Sequence, residues 1–395
     1  MNRKKISIVM SNMSLYSDWQ RGVNNRNRQI MAELQTREEV EQIVAIDFLP
    51  WGWRQALKVI FFGWLPNLVQ PGVVYRSFFT VARRINEKLV VVSSWRTLFS
   101  ESAFWRELTA ITAKLGIEEY VTWSYNPMFV GQLDMPAEAH IFDAVDNWLL
   151  HPSFAAHEKR LENNYAQIEK RAQMIFMVAE EIGRLFAGNE NVYWIPNAID
   201  WQHYQQTYNL VDRRIADLPH PIIGYIGLIL GRLDMAVVEY LAVNNPDKSI
   251  VLAGAYRGRL RNWDKKTINK LTAHTNIHLL GYIPYEKAPM YIKQFDVAII
   301  PHRSEGTYVA STNPMKMYEY LACGKPVVAT PAPGIDTFPE IRIANTPADF
   351  HREVNAALAE DSDLLREQRQ AVVKDHTWEK RVNQMLNLLY DRSLA

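Results

Sequence analysis

Cysteine is almost missing from this chain: Cys323 is the only one in 395 residues. An intramolecular disulfide is therefore excluded, no Cys/His cluster has the spacing of a structural zinc site, and a reducing compartment fits. Long apolar runs are missing too. The longest, VIFFGWLPNLV over residues 59–69, is interrupted by Gly63 and Pro66 and is too short to span a bilayer as a helix. The opening MNRKKISIVMSN reads as a first strand rather than a cleaved signal peptide, so a cytoplasmic protein is expected. An excess of charge is lacking as well. A formal net charge of +1 argues against a surface built to neutralise a nucleic-acid backbone, while leaving small anionic ligands open. The only D-x-D, Asp361-Ser362-Asp363, sits in a charged helical tail rather than after a strand, so it is not read as a metal site and no cofactor is expected.

Hydrophobic residues make up 48% of the chain and charged residues 22%, as in ordinary folded proteins. The length predicts two domains, and two domains imply a cleft. Apolar runs with little polar alternation recur at ISIVM (6–10), VEQIVAIDFL (40–49), KLVVVSS (88–94), YVTWSY (120–125), AHIFDAV (139–145) and MIFMVA (174–179). Runs of this kind, separated by helix-length segments, are what parallel strands covered on both faces look like. The pattern returns at IIGYIG (222–227), SIVLAGA (249–255), IHLLGY (277–282), DVAIIP (296–301) and PVVAT (326–330), and turns helical after Pro347. An α/β chain of two Rossmann-like domains is expected, over residues 1–200 and 201–375, followed by a C-terminal helix over 376–395.

Ligands of open parallel sheets bind beyond the carboxyl ends of the strands, where loops and helix N-termini converge. After DVAIIP come HRSEGTYVAST and then Asn313-Pro314, which open a helix. Asn313 suits an N-cap and Pro314 the first turn, so amides near Ser311 to Met315 would face an anion such as a diphosphate. Glu319, further along, suits the two hydroxyls of a ribose; the spacing alone equally allows a solvated helix residue.

The stretch NPMKMYEYLACGKPVVATP resembles the nucleotide-binding segment of GT-B glycosyltransferases, in the family-4-like group that includes bacterial teichuronic acid and exopolysaccharide biosynthesis enzymes. IHLLGYIPYEKAPMYIKQFDVAIIP, PIIGYIGLI, NVYWIPNAID and HIFDAVDNW resemble further segments of the same group, in the same order. The resemblance implies two Rossmann-like domains facing each other across a deep cleft, with the last helix returning to the first domain. It implies a retaining hexosyltransferase of polysaccharide biosynthesis, moving a sugar from a nucleoside diphosphate donor to a glycan or lipid-linked acceptor, and the reaction is expected to need no metal because helix-terminus amides and basic side chains would stabilise the diphosphate. The nucleotide sugar is then a substrate rather than a cofactor.

On this resemblance Glu319 holds the ribose, Ser311, Thr312 and Asn313 meet the diphosphate, Tyr282 and Ile283 approach the base, and Gly227 lets the first-strand loop come close to the phosphates. Arg232, Arg303 and Lys316 are candidates for neutralising the diphosphate. Asp143 and Asp146, bracketing a strand end, are catalytic candidates, one of them orienting or deprotonating the acceptor hydroxyl; the alternative for Asp146 is a helix cap. Asn12, Trp19 and Arg21, with Arg26, form an acceptor-side cluster after the first strand. The chain departs from the group at Ser311, where many members carry a first glutamate that contacts the donor sugar. That departure keeps open a non-catalytic glycan- or nucleotide-binding relative, and the shared two-domain fold keeps open a nucleotide-sugar epimerase. Trp51, Trp53, Phe61, Phe62 and Trp64, beside Arg54 and Lys58, have two readings: packing under a loop, or contact with the inner face of a membrane.

Overall fold

The computed structural model describes residues 4–229, 233–255, 262–303, 312–332 and 334–392. It divides into two compact units, Met1–Pro196 with Arg381–Ala395, and Asn197–Lys380.

The first unit is built on one sheet. Its strands are β1 (Ile6–Ser11), β2 (Val40–Ile46), β3 (Val73–Arg76), β4 (Thr80–Arg84), β5 (Leu89–Ser94), β6 (Tyr120–Ser124), β7 (Ala139–Ala144), β8 (Met174–Met177) and β9 (Val192–Trp194), in the order β3-β4-β5-β2-β1-β6-β7-β8-β9. All neighbours are parallel except the β3/β4 and β4/β5 pairs. β1, β5 and β6 are buried along their whole length, which explains why their sequences read as unbroken apolar runs. Helices Arg26–Thr36, Glu101–Lys114 and Glu158–Arg171 pack around the sheet, each burying one stripe, as with Phe104, Leu108 and Ile111 of the second. The antiparallel pair β3/β4 is absent from the sequence-based expectation, because its residues mix exposed and buried positions without a long apolar run.

The second unit has β10 (Ile222–Ile226), β11 (Ser249–Ala253), β12 (Ile277–Gly281), β13 (Val297–Ile300), β14 (Val327–Ala329) and β15 (Ile341–Ile343), in the order β12-β11-β10-β13-β14-β15, parallel throughout. Helix Met315–Ala322 crosses from β13 to β14 and buries Met317, Tyr318, Tyr320 and Leu321. Helices Pro347–Glu360 and Asp363–Val373 follow β15, and helix Trp378–Arg392 ends the described chain, its residues from Arg381 onward belonging to the first unit.

The strand orders locate the chemistry. In the first unit the chain leaves β1 for β2, jumps to the sheet edge at β3, works back inward through β4 and β5, and crosses to the other side of β1 as β6. In the second it leaves β10 for β11 and β12 and returns as β13. The carboxyl ends of β1 and β6, and of β10 and β13, therefore flank the two topological switch points, where open parallel sheets take their ligands.

Candidate functional site

In the second unit the first residue past β10 is Gly227, with φ +144°, whose amide donates to the Ala253 carbonyl at 2.8 Å. A β-carbon at this position would lie 2.6 Å from Lys316 Nζ, so the missing side chain makes room for a lysine, not only for a ligand. The ammonium of Lys316 sits 5.5 Å from the centre of the Tyr225 ring, a cation–π contact at the strand end. Gly254, past the end of β11, is held to glycine by the same loop, since a β-carbon there would overlap the Gly227 carbonyl.

Helix Met315–Ala322 begins beside this point. Asn313 was expected to cap it and does not: Pro314 stands at the cap, and among the described residues no side-chain cap bond is made. The Asn313 side chain is instead a clamp. Its Oδ1 accepts from the Asn197 amide at 2.9 Å and from the Tyr318 hydroxyl at 3.2 Å, while its carbonyl accepts from Asn197 Nδ2 at 2.6 Å. The helix N-terminus is thus left without a side-chain cap, next to the Lys316 ammonium, and both favour negative charge.

Glu319 lies one turn further on and is half-buried. Burial raises its carboxyl above the ordinary range, while Lys316 and a hydrogen bond from Tyr204 pull it back. Tyr204, on the short helix Trp201–Gln205, is buried, and its hydroxyl is pushed well up by burial and by the Glu319 charge. A carboxylate held this way keeps lone pairs for ligand hydroxyls. Tyr204 was missed by sequence reasoning, since nothing in WQHYQ marks one tyrosine as a partner of a glutamate more than a hundred residues on.

Other expected residues scatter. Thr312 is buried beside Asn313. Tyr282 is 47% exposed just past β12. The Ile283 side chain joins the core that includes Tyr291 and Ile292, so only its backbone is left for a ligand. Arg303 Nε donates to the Leu233 carbonyl at 3.2 Å, tying the segment after β13 to residue 233. Ser311 and Arg232 lie outside the described residues, as does Glu305. The D-x-D is a capping and ion-pair arrangement: the Ser362 hydroxyl accepts from the Leu365 amide, Asp361 pairs with Arg369, and Asp363 pairs with Arg366 at 3.0 Å.

In the first unit the switch point is lined by Asn12, just past β1, and Asn126, just past β6. Asn12 Nδ2 donates to the Ile46 carbonyl at 3.1 Å, and its buried Oδ1 has no partner among the described residues. Asn126 Oδ1 accepts from the Met128 amide at 2.9 Å, and its buried Nδ2 likewise lacks one. One spare acceptor and one spare donor at adjacent strand ends suit a hydroxylated ligand. Asn126 was not singled out from sequence, although its position immediately after a strand was a usable signal.

The neighbouring predictions need correction. Asp143 does not present an open carboxylate: it is fully buried, and both its oxygens lie 3.0 Å from Arg26 Nε. Burial raises its carboxyl, opposed by the Arg26 charge. Arg26, in turn, also reaches the Pro196 carbonyl at 3.3 Å, so it faces inward. Asp146 is half-buried past the end of β7, and the cap of the following turn is Asn147, whose side chain accepts from the Leu149 amide. Trp19 is buried edge-on to Tyr16, a packing residue. Arg21 is held at the surface by Asp18 at 2.6 Å and lies over the Phe62 ring.

Comparison with known proteins bears on the fold. Residues 236–387, most of the second unit, match the family described as Glycosyl transferase-like. TuaH of Bacillus subtilis (strain 168), a candidate teichuronic acid biosynthesis glycosyltransferase, is 24% identical over 256 residues, which span 60% of this chain and 63% of that protein. Among solved structures, sucrose-phosphate synthase from Thermosynechococcus elongatus superposes with a TM-score of 0.71 at 16% identity, over 98% of this chain and 99% of that one. Anabaena HepE, solved with UDP and glucose, gives 0.63 at 14% identity over 98% and 99%. A glycosyltransferase from Rickettsia africae gives 0.65 at 13% identity over 98% and 99%. The chain has the GT-B fold, and its second unit is similar to the Glycosyl transferase-like family. Within the GT-B fold the two sheets described above are its two Rossmann-like halves, and the residues around Gly227, Lys316 and Glu319 occupy the switch point of the second.

Proposed function

We propose that the chain transfers a hexosyl group from a nucleoside diphosphate sugar to a hydroxyl of a glycan or lipid-linked acceptor. The observation that carries this reading is the convergence, at the second switch point, of an uncapped helix N-terminus, the Lys316 ammonium and the Glu319 carboxylate. Glu319 accepts from the ribose hydroxyls. Lys316 and the first-turn amides stabilise the diphosphate as the bond from anomeric carbon to phosphate oxygen breaks, so that no metal is required. The anomeric carbon forms its new bond to the acceptor oxygen, Asp146 orients that hydroxyl, and its proton passes to the departing diphosphate or to solvent. Retention of configuration is proposed from the family-4 likeness, and the acceptor is proposed to meet Asn12 and Asn126. HepE with UDP and glucose supports a uridine donor as the first to test.

The test is a thermal-shift screen against UDP, GDP, dTDP and ADP sugars, since a ligand that binds only the folded state raises its melting temperature. Donor turnover with and without acceptor, in EDTA, follows. Transfer predicts acceptor-dependent, EDTA-resistant turnover. Turnover of the sugar without acceptor would identify an epimerase, and binding without turnover a non-catalytic relative.

A further inference from the structure

The helical segment 53–69 is amphipathic in the wrong direction for core packing. It runs continuously as helix Trp53–Val59, a wide π turn Ile60–Trp64, and helix Leu65–Val69. The side facing the sheet carries Ala56, Val59, Gly63 and Asn67, none of them a large apolar residue. Gly63 is there because a β-carbon would press on Asp47 Oδ2 at 2.9 Å, and Asn67 bonds Ser93 and Arg83 at 2.8 Å each. The large apolar residues point out. Trp53, Leu57, Phe61, Leu65 and Val69 recur every fourth residue and are 59%, 49%, 58%, 37% and 78% exposed. The π turn, wider than an α turn, keeps residues spaced by four on one side.

The face continues beyond the helix. The Trp53 ring contacts Phe99 at 5.8 Å, and Phe79 joins Phe99 to Phe78, which is 72% exposed. The sequence-based pair of readings is thereby split: Trp51 turns inward against Phe129, Trp148 and Phe154, whereas Trp53, Phe61 and Phe62 turn outward. Between Phe48 and Ser100 the only acidic residue is Glu87, against seven lysines and arginines, of which Lys58 pairs with Asp18 and Arg96 with Glu107. Arg54 and Arg76 are exposed.

We propose that this face of the first unit lies on an anionic lipid bilayer, with the fourth-residue stripe in the headgroup boundary and the basic residues against lipid phosphates. Large apolar side chains on one side of a helix, flanked by Lys and Arg, make an interfacial rather than a spanning element. A symmetric contact with a second copy is disfavoured by the same charges, since it would bring like basic residues together. The inference does not depend on the transfer reaction, and its test reads no turnover.

The test is flotation of the full chain with vesicles of phosphatidylglycerol and phosphatidylcholine, against vesicles of phosphatidylcholine alone. Binding is expected to require the anionic lipid and to fall with added salt. The triple change Trp53→Ser, Leu57→Ser and Phe61→Ser is expected to lower the bound fraction about tenfold or more, because apolar area is no longer removed from water. These side chains are exposed, so the melting temperature should hold, and circular dichroism checks it. Arg54→Glu with Arg76→Glu should abolish the preference for anionic vesicles. The proposal is overturned if the unaltered chain does not float at low salt, or if the triple variant floats equally well. It is also overturned if light scattering finds, without vesicle binding, a dimer that the triple change dissolves.

Discussion

Lys316 lies across Gly227 so closely that a β-carbon on the glycine would come within 2.6 Å of its ammonium nitrogen. Gly227→Ala should therefore do two separable things. It should destabilise the second unit by about 1–3 kcal/mol, because φ is +144° there. It should also push Lys316 off the strand end and weaken nucleoside diphosphate binding about tenfold, the loss expected for one charge-assisted contact. Lys316→Ala should reproduce the affinity loss without the fall in melting temperature. Calorimetry and thermal melts on both variants check this; full affinity in Lys316→Ala would remove the lysine from the site.

Glu319 predicts a pH dependence of nucleotide binding. Burial raises its carboxyl, so the ionised form is lost at a higher pH than for an ordinary glutamate. Ribose hydroxyls donate to the ionised form, so affinity should fall as pH drops through the raised value, and binding near that value should release a proton. Tyr204→Phe removes a neighbouring hydroxyl that lowers the carboxyl, so the fall should begin at higher pH. Glu319→Gln should weaken binding about 10- to 100-fold and flatten the profile. Titrations in buffers of different ionisation enthalpy measure both effects, and an unchanged profile in Glu319→Gln would assign the dependence elsewhere.

The two aspartates after HIF are predicted to behave differently. Removing the guanidinium in Arg26→Ala leaves Asp143 buried without its counter-charge and should cost about 3–5 kcal/mol. Asp143→Ala strands the Arg26 charge in the same way, so its activity should be lost with its fold. Asp146→Asn keeps the size of a half-buried side chain beside a turn capped by Asn147, and should lower kcat with the melting temperature retained. Circular dichroism melts beside initial rates check the contrast, and a folded, inactive Asp143→Ala protein would reverse the assignment.

Most of the strands legible in the sequence are buried on both faces, because double burial leaves an uninterrupted apolar run; β12, partly exposed, is an exception. β3 and β4 were not, since antiparallel strands with one partly exposed face carry no such run. The same division applies to the site. Glu319 and Gly227 were legible because each sits at a fixed offset from a strand or a helix start. The role of Asn313 was misread because local spacing suggests a cap, whereas its partner Asn197 is brought up by the tertiary fold. Asp143 was misread for a related reason: a position near a strand end does not reveal an arginine supplied by a helix more than a hundred residues earlier.

Asp47, just past β2, supplies a last prediction, about stability rather than catalysis. It is buried, accepts from the Tyr16 amide at 2.7 Å and from the Ser93 hydroxyl, and supports the turn at Gly63. Burial pushes its carboxyl up from 3.8 to about 7, aided by the nearby Asp18 charge and opposed by Ser93, Tyr16 and Lys58. Between those two values the folded chain holds a proton that the unfolded chain has released, so the fold loses stability as pH rises through this window and levels off above it. Asp47→Asn keeps the shape and cannot ionise. Its melting temperature should equal or trail that of the unaltered chain near pH 4, overtake it as pH approaches 7, and keep a constant lead above, with each 1 kcal/mol appearing as about 2–4 °C. Melting curves across that range decide it; a lead that does not widen with pH would mean that Asp47 is ionised in the fold throughout.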